Sequence, residues 1–157
     1  MTSLEKARLL ALLVPAALLA AALGSQYIGG LHPCEMCHWQ RWGHYAALAF
    51  ALISFALRSQ ADRGRSFVWL AALAIVSSGI TGFYHAGVEL DIFEGLTQCT
   101  ASGGGSLADI MAAPLVRCDE VQFSFLGISM AGWNAIISTG SALVILWLSL
   151  RRPRAAA

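Results

Sequence analysis

The chain has 157 residues, of which 57% are hydrophobic and only 12% charged, with a net charge of +1 and a mean hydropathy of +0.65. Soluble domains carry about 25% charged residues, and a single soluble core this apolar would leave too little polar surface to cover it. That excludes an ordinary soluble domain and makes the bilayer the expected solvent.

Lys6 and Arg8 precede a first apolar run, expected to span the membrane over residues 9–28. Basic residues before an apolar stretch that contains Ala20-Ala21-Ala22 also fit a secretory signal peptide. The apolar character persists to Ile28 and further runs follow, so an uncleaved first helix is the simpler account. The second run, Trp42 to Leu57, is short of the ~20 helical residues that a hydrocarbon core roughly 30 Å thick requires. Starting its helix near Cys37 or His38 completes a span over 38–57. Further spans are expected over 67–85 and 131–150, leaving outer loops 29–37 and 86–130.

The predicted fold is therefore an all-α integral membrane protein, a bundle of four transmembrane helices in one domain, 1–157. In the longer outer loop the flexible run Ser102-Gly103-Gly104-Gly105-Ser106 leads into Ser106 and Asp109, spaced as a capping box. A short interfacial helix over 107–113, stopped by Pro114, is expected there.

Basic residues set the orientation. Lys6 and Arg8 lie before the first span, Arg58, Arg63 and Arg65 between the second and third, and Arg151, Arg152 and Arg154 after the fourth. The other connections hold only Arg41 and Arg117. The positive-inside rule then puts both termini in the cytoplasm. Glu35, Glu89, Asp91, Glu94, Asp109, Asp119 and Glu120 fall on the opposite side and read as a solvated face.

All four cysteines, Cys34, Cys37, Cys99 and Cys118, also fall on that outer side. In a bacterium this is the periplasm, where disulfides persist. Cys34-Glu35-Met36-Cys37 is a C-x-x-C spacing, compatible with a redox disulfide, with metal ligation or, because His38 follows, with c-type haem attachment. Two structural staples are a further alternative, although a two-residue gap gains little loop-closure entropy. Zinc or an iron–sulfur cluster could use the four thiolates, but the wide separation of Cys99 from Cys118 is unlike a zinc knuckle, and no metal is expected.

Reactivity is favoured at Cys37, because helix N–H groups and the positive dipole end at the start of the second helix stabilise a thiolate. Arg41 lies one turn further along the same face. Its guanidinium can neutralise that thiolate and hydrogen-bond a carbonyl of an electron acceptor. Trp39 and Trp42 read as aromatic-belt anchors that could also wall a ring-shaped cofactor.

The string Pro33-Cys34-Glu35-Met36-Cys37-His38-Trp39-Gln40-Arg41-Trp42 strongly resembles the first outer loop of the DsbB family. Phe83-Tyr84-His85 with Gly87-Val88-Glu89, Thr97-Gln98-Cys99-Thr100, and Cys118-Asp119 through Phe125-Leu126-Gly127-Ile128-Ser129-Met130 extend the likeness over nearly the whole chain. Ala131 stands where many relatives have proline.

The resemblance implies a protein-disulfide:quinone oxidoreductase of the bacterial inner membrane. A DsbA-like periplasmic oxidant with a thioredoxin fold would form a mixed disulfide with Cys99, and Cys118 would complete that exposed pair. Electrons would pass to Cys34/Cys37, by way of a transient Cys34–Cys118 disulfide, and leave from Cys37 to ubiquinone or menaquinone drawn from the membrane pool. Arg41 and His85 would contact the quinone, His85 from the outer end of the third helix, where a helix C-terminus favours the imidazolium. His32, His38 and His44 are adequately explained by interfacial polarity. Membrane lipid is the expected surroundings and no nucleic-acid partner is expected. A disulfide-stapled scaffold and a c-type haem carrier are the non-catalytic alternatives. A vitamin K epoxide reductase-like protein would place its loop cysteines before the C-x-x-C, whereas here they follow it.

Overall fold

The computed structural model describes residues 1–95, 100–101 and 115–151. Cys99, the segment 107–113 with its expected interfacial helix, Pro114, Arg152 and Arg154 lie outside the described residues. Four helices carry the fold: α1 (Ser3–Tyr27), α2 (Glu35–Ala56), α3 (Ala61–Glu89) and α4 (Met130–Leu150). Each apolar run lies within one of them, or ends on the residue that caps it. By length and composition Ser3–Tyr27, Asp62–Glu89 and Met130–Leu150 are able to cross a membrane. The α2 helix is less apolar than these three, because His38, Gln40, Arg41 and His44 occupy its first half.

Local sequence explains the helix starts. Thr2 caps α1 through a full capping box, its side chain accepting from the Glu5 N–H while the Glu5 carboxylate accepts from the Thr2 N–H. Ser129 caps α4 by accepting from the Gly132 N–H at 3.1 Å. Pro15 sits inside α1 without ending it, as bundled membrane helices allow where neighbours satisfy the freed carbonyl.

The central helix is α3, which packs on both α2 and α4, while α1 lies against α2 and α4. Away from the cysteines the core is built of small residues, Ala7, Ala11, Ala47, Ala51, Ala71, Ala72 and Ala142, around Val68, Ile75 and Ile145. Lipid is as apolar as leucine, so helices associate by close backbone packing rather than by a hydrophobic drive. Gly43 and Gly82 show how close that packing is. A Cβ on Gly43 would meet the Ala74 carbonyl oxygen of α3 at 3.0 Å, and one on Gly82 would meet the Ala131 carbonyl oxygen of α4 at 2.9 Å.

Two short antiparallel ladders lie in the connection between α3 and α4. β1 (Thr100–Ala101) pairs with β2 (Leu115–Val116) in the register Thr100↔Val116, so the residue after Cys99 lies opposite the residue two before Cys118. β3 (Ser124–Phe125) and β4 (Ile128–Ser129) form a hairpin whose two-residue turn, Leu126 and Gly127, has φ of 53° and 77°. Positive φ at both positions is the type I′ geometry that matches strand twist. The hairpin feeds directly into α4, and the Trp133 indole donates back to the Phe125 carbonyl at 3.0 Å.

Candidate active site

Cys34 occupies the N-cap of α2, and its sulfur accepts from the Cys37 N–H at 3.3 Å. The free helix N–H is therefore spent on Cys34, not on Cys37 as the sequence suggested. The two sulfurs lie 2.9 Å apart, with the Cys34 thiol donating to the Cys37 sulfur. That hydrogen bond is the first reason that Cys37, just ahead of the expected span, is held below the usual thiol range; Arg41 adds a smaller electrostatic contribution. Cys34 is pushed far up, first by its hydrogen bond with the Cys118 side chain, then by the one to Cys37 and by burial. Within the C-x-x-C the charge belongs on Cys37 and the proton on Cys34.

Cys34, Met36, Val88, Val116 and Cys118 form one buried cluster. The loop that follows β2 thus delivers Cys118 onto the N-terminus of α2. His85 completes the group: its Nε2 stands 3.6 Å from the Cys34 sulfur and 3.2 Å from the Cys118 carbonyl oxygen. Since α3 runs on to Glu89, His85 lies inside the last turn and is only 3% exposed. Glu89, expected on a solvated face, has a side chain only 8% exposed, with its carboxylate 3.9 Å from His85 Nε2 and hydrogen-bonded to the Ser129 side chain. Its second oxygen, Oε2, has no partner among the described residues.

Behind the thiols lies a polar network that sequence reasoning missed. The Gln40 side-chain nitrogen donates to the Met36 carbonyl at 3.3 Å and to His85 Nδ1 at 2.9 Å. Asn134 on α4 donates to Gln40 Oε1 at 2.7 Å and to the Ser78 carbonyl at 3.1 Å. Two backbone carbonyls, of Met36 and Ser78, identify which amide atoms are nitrogen. With those fixed, His85 Nδ1 must be an acceptor, so its proton sits on Nε2 and points at Cys118 and Cys34. By the same logic Asn134 Oδ1 faces His44 Nε2 at 2.9 Å, so His44 carries its proton on Nε2. His44, read from sequence as an interfacial residue, is instead 3% exposed at the heart of this network. The available signal was a set of polar side chains inside apolar runs, which in a bilayer mark paired or functional positions.

Arg41 is buried and its guanidinium ties α2 to α1, donating to Gln26 Oε1 and to the Ala22 carbonyl at 3.2 Å. It lines a cavity of 640 Å³ between α1, α2 and α4, together with Cys34, Cys37, His44, His85 and Asn134. The volume falls within the range of about 300–1,000 Å³ typical of small-molecule sites. The lining is mostly apolar, with Leu18, Leu19, Met130, Trp133 and Ile137 among it, while Trp39 and Trp42 do not line it. Trp39 packs on the thiol cluster instead, and Trp42 is exposed.

The ligand atoms of Cys34, Cys37 and His85 lie within 4.8 Å of one another, a spacing that admits a thiophilic metal ion. Two features oppose that use. Sulfurs 2.9 Å apart are closer than two thiolates on one tetrahedral zinc at about 2.3 Å each can be. Gln40 also donates to His85 Nδ1, leaving Nε2 protonated and without a lone pair for a metal.

Of the residues expected from the sequence, Cys34, Cys37, Cys118, Arg41 and His85 converge here; Cys99 lies outside the described residues. The family model of "Disulfide bond formation protein DsbB" matches residues 5–148. Among the relatives are proteins named disulfide bond formation protein B from Methylococcus capsulatus, 33% identical over 92% of this chain and 94% of the relative; from Marinobacter nauticus, 31% identical over 91% and 90%; and from Stutzerimonas stutzeri, 28% identical over 91% and 93%. No solved structure matches this chain with significance.

Proposed function

Because the chain belongs to the DsbB family, and is thus a disulfide-forming oxidoreductase of the bacterial membrane, we propose that it reoxidises a periplasmic DsbA-like oxidant and passes the electrons to a membrane quinone. The observation that carries this reading is the meeting of Cys34, Cys37, Cys118 and His85, three of which, Cys34, Cys37 and His85, line the same cavity as Arg41. The arrangement favours thiol exchange over haem attachment, since the Cys34 sulfur is buried against Cys118 and His85.

In the proposed relay a partner thiolate attacks Cys99 of a Cys99–Cys118 disulfide, giving a mixed disulfide and releasing the Cys118 thiolate. Cys118, already hydrogen-bonded to Cys34, attacks that sulfur of an oxidised Cys34–Cys37 pair. A Cys34–Cys118 bond forms and Cys37 leaves as the thiolate, which is the state its surroundings favour. The partner's second thiol then resolves the mixed disulfide and frees Cys99. Cys99 attacks Cys118, regenerating the outer pair and leaving Cys34/Cys37 as a dithiol. His85 Nε2–H, facing both Cys34 and Cys118, stabilises the Cys118 anion released from Cys99 and the Cys34 anion released when Cys99 attacks Cys118.

A quinone, when bound, accepts the two electrons and two protons that the Cys34/Cys37 dithiol gives up in closing its disulfide. The cavity fits such a ring in volume and apolar lining, and supplies the Arg41 guanidinium and the buried His44 Nδ1, which has no hydrogen-bond partner among the described residues. In orientation, the cysteine loops face the periplasm and both termini the cytoplasm, supported by the distribution of Lys6, Arg58, Arg63, Arg65 and Arg151.

The test mixes purified protein with a reduced DsbA-type partner and a soluble ubiquinone analogue and follows quinone absorbance. Cysteine-dependent loss of absorbance, absent in Cys37→Ser, is the expected result. Absence of reduction with both disulfides intact would overturn the reading in favour of a stapled scaffold.

A further inference from the structure

His44 holds a position in the cavity that the relay does not use. It follows Cys37 and Arg41 along one stripe of α2, seven and three residues on, and lines the same cavity. Its Nε2–H donates to Asn134 Oδ1, and Ser78 Oγ stands 3.0 Å from the same nitrogen. Its Nδ1 is buried with no hydrogen-bond partner among the described residues. The Asn134 orientation, set by the Ser78 carbonyl and Gln40 Oε1, fixes that bare nitrogen as an acceptor.

A buried acceptor without a donor is costly, and the ligand that relieves the cost must bring a donor. Resting on the quinone reading above, we propose that His44 Nδ1 accepts a hydrogen bond from a hydroxyl of the reduced, hydroquinone head group and so makes the site prefer the reduced ring over the oxidised one. An oxidised ring presents carbonyl oxygens, which only accept. Its reduced counterpart, carrying two more electrons and two more protons, presents hydroxyls, which donate. Arg41 cannot make this distinction, because a guanidinium donates to oxygen in either state. His44 is thus a specificity residue for the oxidation state of the ligand, and it favours the direction in which electrons leave the thiols.

Two measurements test this on the full-length chain in lipid nanodiscs. The first is isothermal titration with a short-chain hydroquinone and with the matching quinone. His44→Phe keeps an aromatic ring of similar volume and leaves Asn134 Oδ1 satisfied by the Ser138 hydroxyl. It should weaken hydroquinone binding roughly fivefold, the factor that one neutral hydrogen bond supplies, and leave quinone binding within twofold. Equal effects on both rings, or on neither, would overturn the proposal. The second uses unmutated protein labelled with ¹⁵N-histidine, so it stands even where the variant fails to fold. The His44 Nδ1 resonance, that of an unprotonated nitrogen, should move upfield on adding hydroquinone and stay in place with quinone. Hydroquinone binding that leaves this resonance unmoved would overturn the role of His44 while leaving the quinone reading intact. Failure of either ring to bind the unmutated protein would overturn both.

Discussion

Replacing Asn134 by leucine tests whether the interhelical network, rather than apolar packing, holds the site together. Asn134 is 9% exposed and of nearly leucine's size, so the change alters polarity with little change in volume. It removes the hydrogen bonds to Gln40 Oε1 at 2.7 Å and the Ser78 carbonyl at 3.1 Å, and the one accepted from His44 at 2.9 Å. Hydrogen bonds between membrane helices are worth about 0.6 kcal/mol on average, with a maximum near 1.7. Three such bonds give an expected loss of about 2 kcal/mol. Were every stranded group to carry the full penalty seen in water-soluble cores, about 1–3 kcal/mol each, the loss would be larger; the lipid value is preferred because the unfolded chain in a bilayer also finds partners. Reversible unfolding in mixed micelles with increasing sodium dodecyl sulfate, followed by circular dichroism, reads the difference. The same substitution releases the Gln40 amide, so the His85 tautomer should lose definition, visible as exchange broadening of its ¹⁵N resonances. A loss below about 0.5 kcal/mol together with an unchanged His85 spectrum would refute the network as the organising element.

In the reduced protein, the pH dependence of alkylation should separate the two thiols of the C-x-x-C. Cys37 should reach its half-maximal rate below the ordinary thiol value of ~8.5, because its lowered pKa keeps the thiolate present at lower pH, and Cys34 above it; coincident midpoints by residue-resolved mass spectrometry would remove the assigned charge distribution. Gly82→Ala should destabilise the bundle by about 1–2 kcal/mol, since its Cβ would press on the Ala131 carbonyl oxygen, whereas Gly140→Ala, with nothing within 4 Å, should be neutral or stabilising in the same micelle assay. Arg41→His should raise the apparent KM for quinone with little change in kcat, the signature of binding lost equally in ground and transition states; an unchanged KM returns Arg41 to its contacts with Gln26 and Ala22. Cys118→Ser should trap a covalent complex of the partner at Cys99, recoverable on non-reducing gels, and failure to recover it would displace Cys99 as the entry residue.

What was legible in the chain follows from how far apart the deciding residues lie. Apolar run length is a local property, and it located the helices; the C-x-x-C at a helix start is local too, and it located the thiols on the first turn of α2. The turn of the β3–β4 hairpin is local but was hidden, because Leu126 takes a positive φ that usually announces itself as Asn-Gly. At about 1–2 kcal/mol for an L-residue in that region, Leu126 is tolerated because strand pairing and the Trp133 contact fix the loop.

The polar network was illegible for the opposite reason. Its members, Gln40, His44, Ser78 and Asn134, are separated by up to 94 residues, and each alone is an unremarkable polar side chain in a greasy helix. Only the bundle shows that Asn134 orients Gln40, that Gln40 orients His85, and that His85 thereby offers a proton rather than a lone pair to Cys34 and Cys118. The tautomer at the thiols is thus set in part by an amide on α4 whose hydrogen bonds among the described residues go to Gln40, His44, Ser78 and Ser138. A substitution at Asn134 should therefore alter thiol chemistry without touching a thiol, an effect that no reading of the C-x-x-C by itself would anticipate.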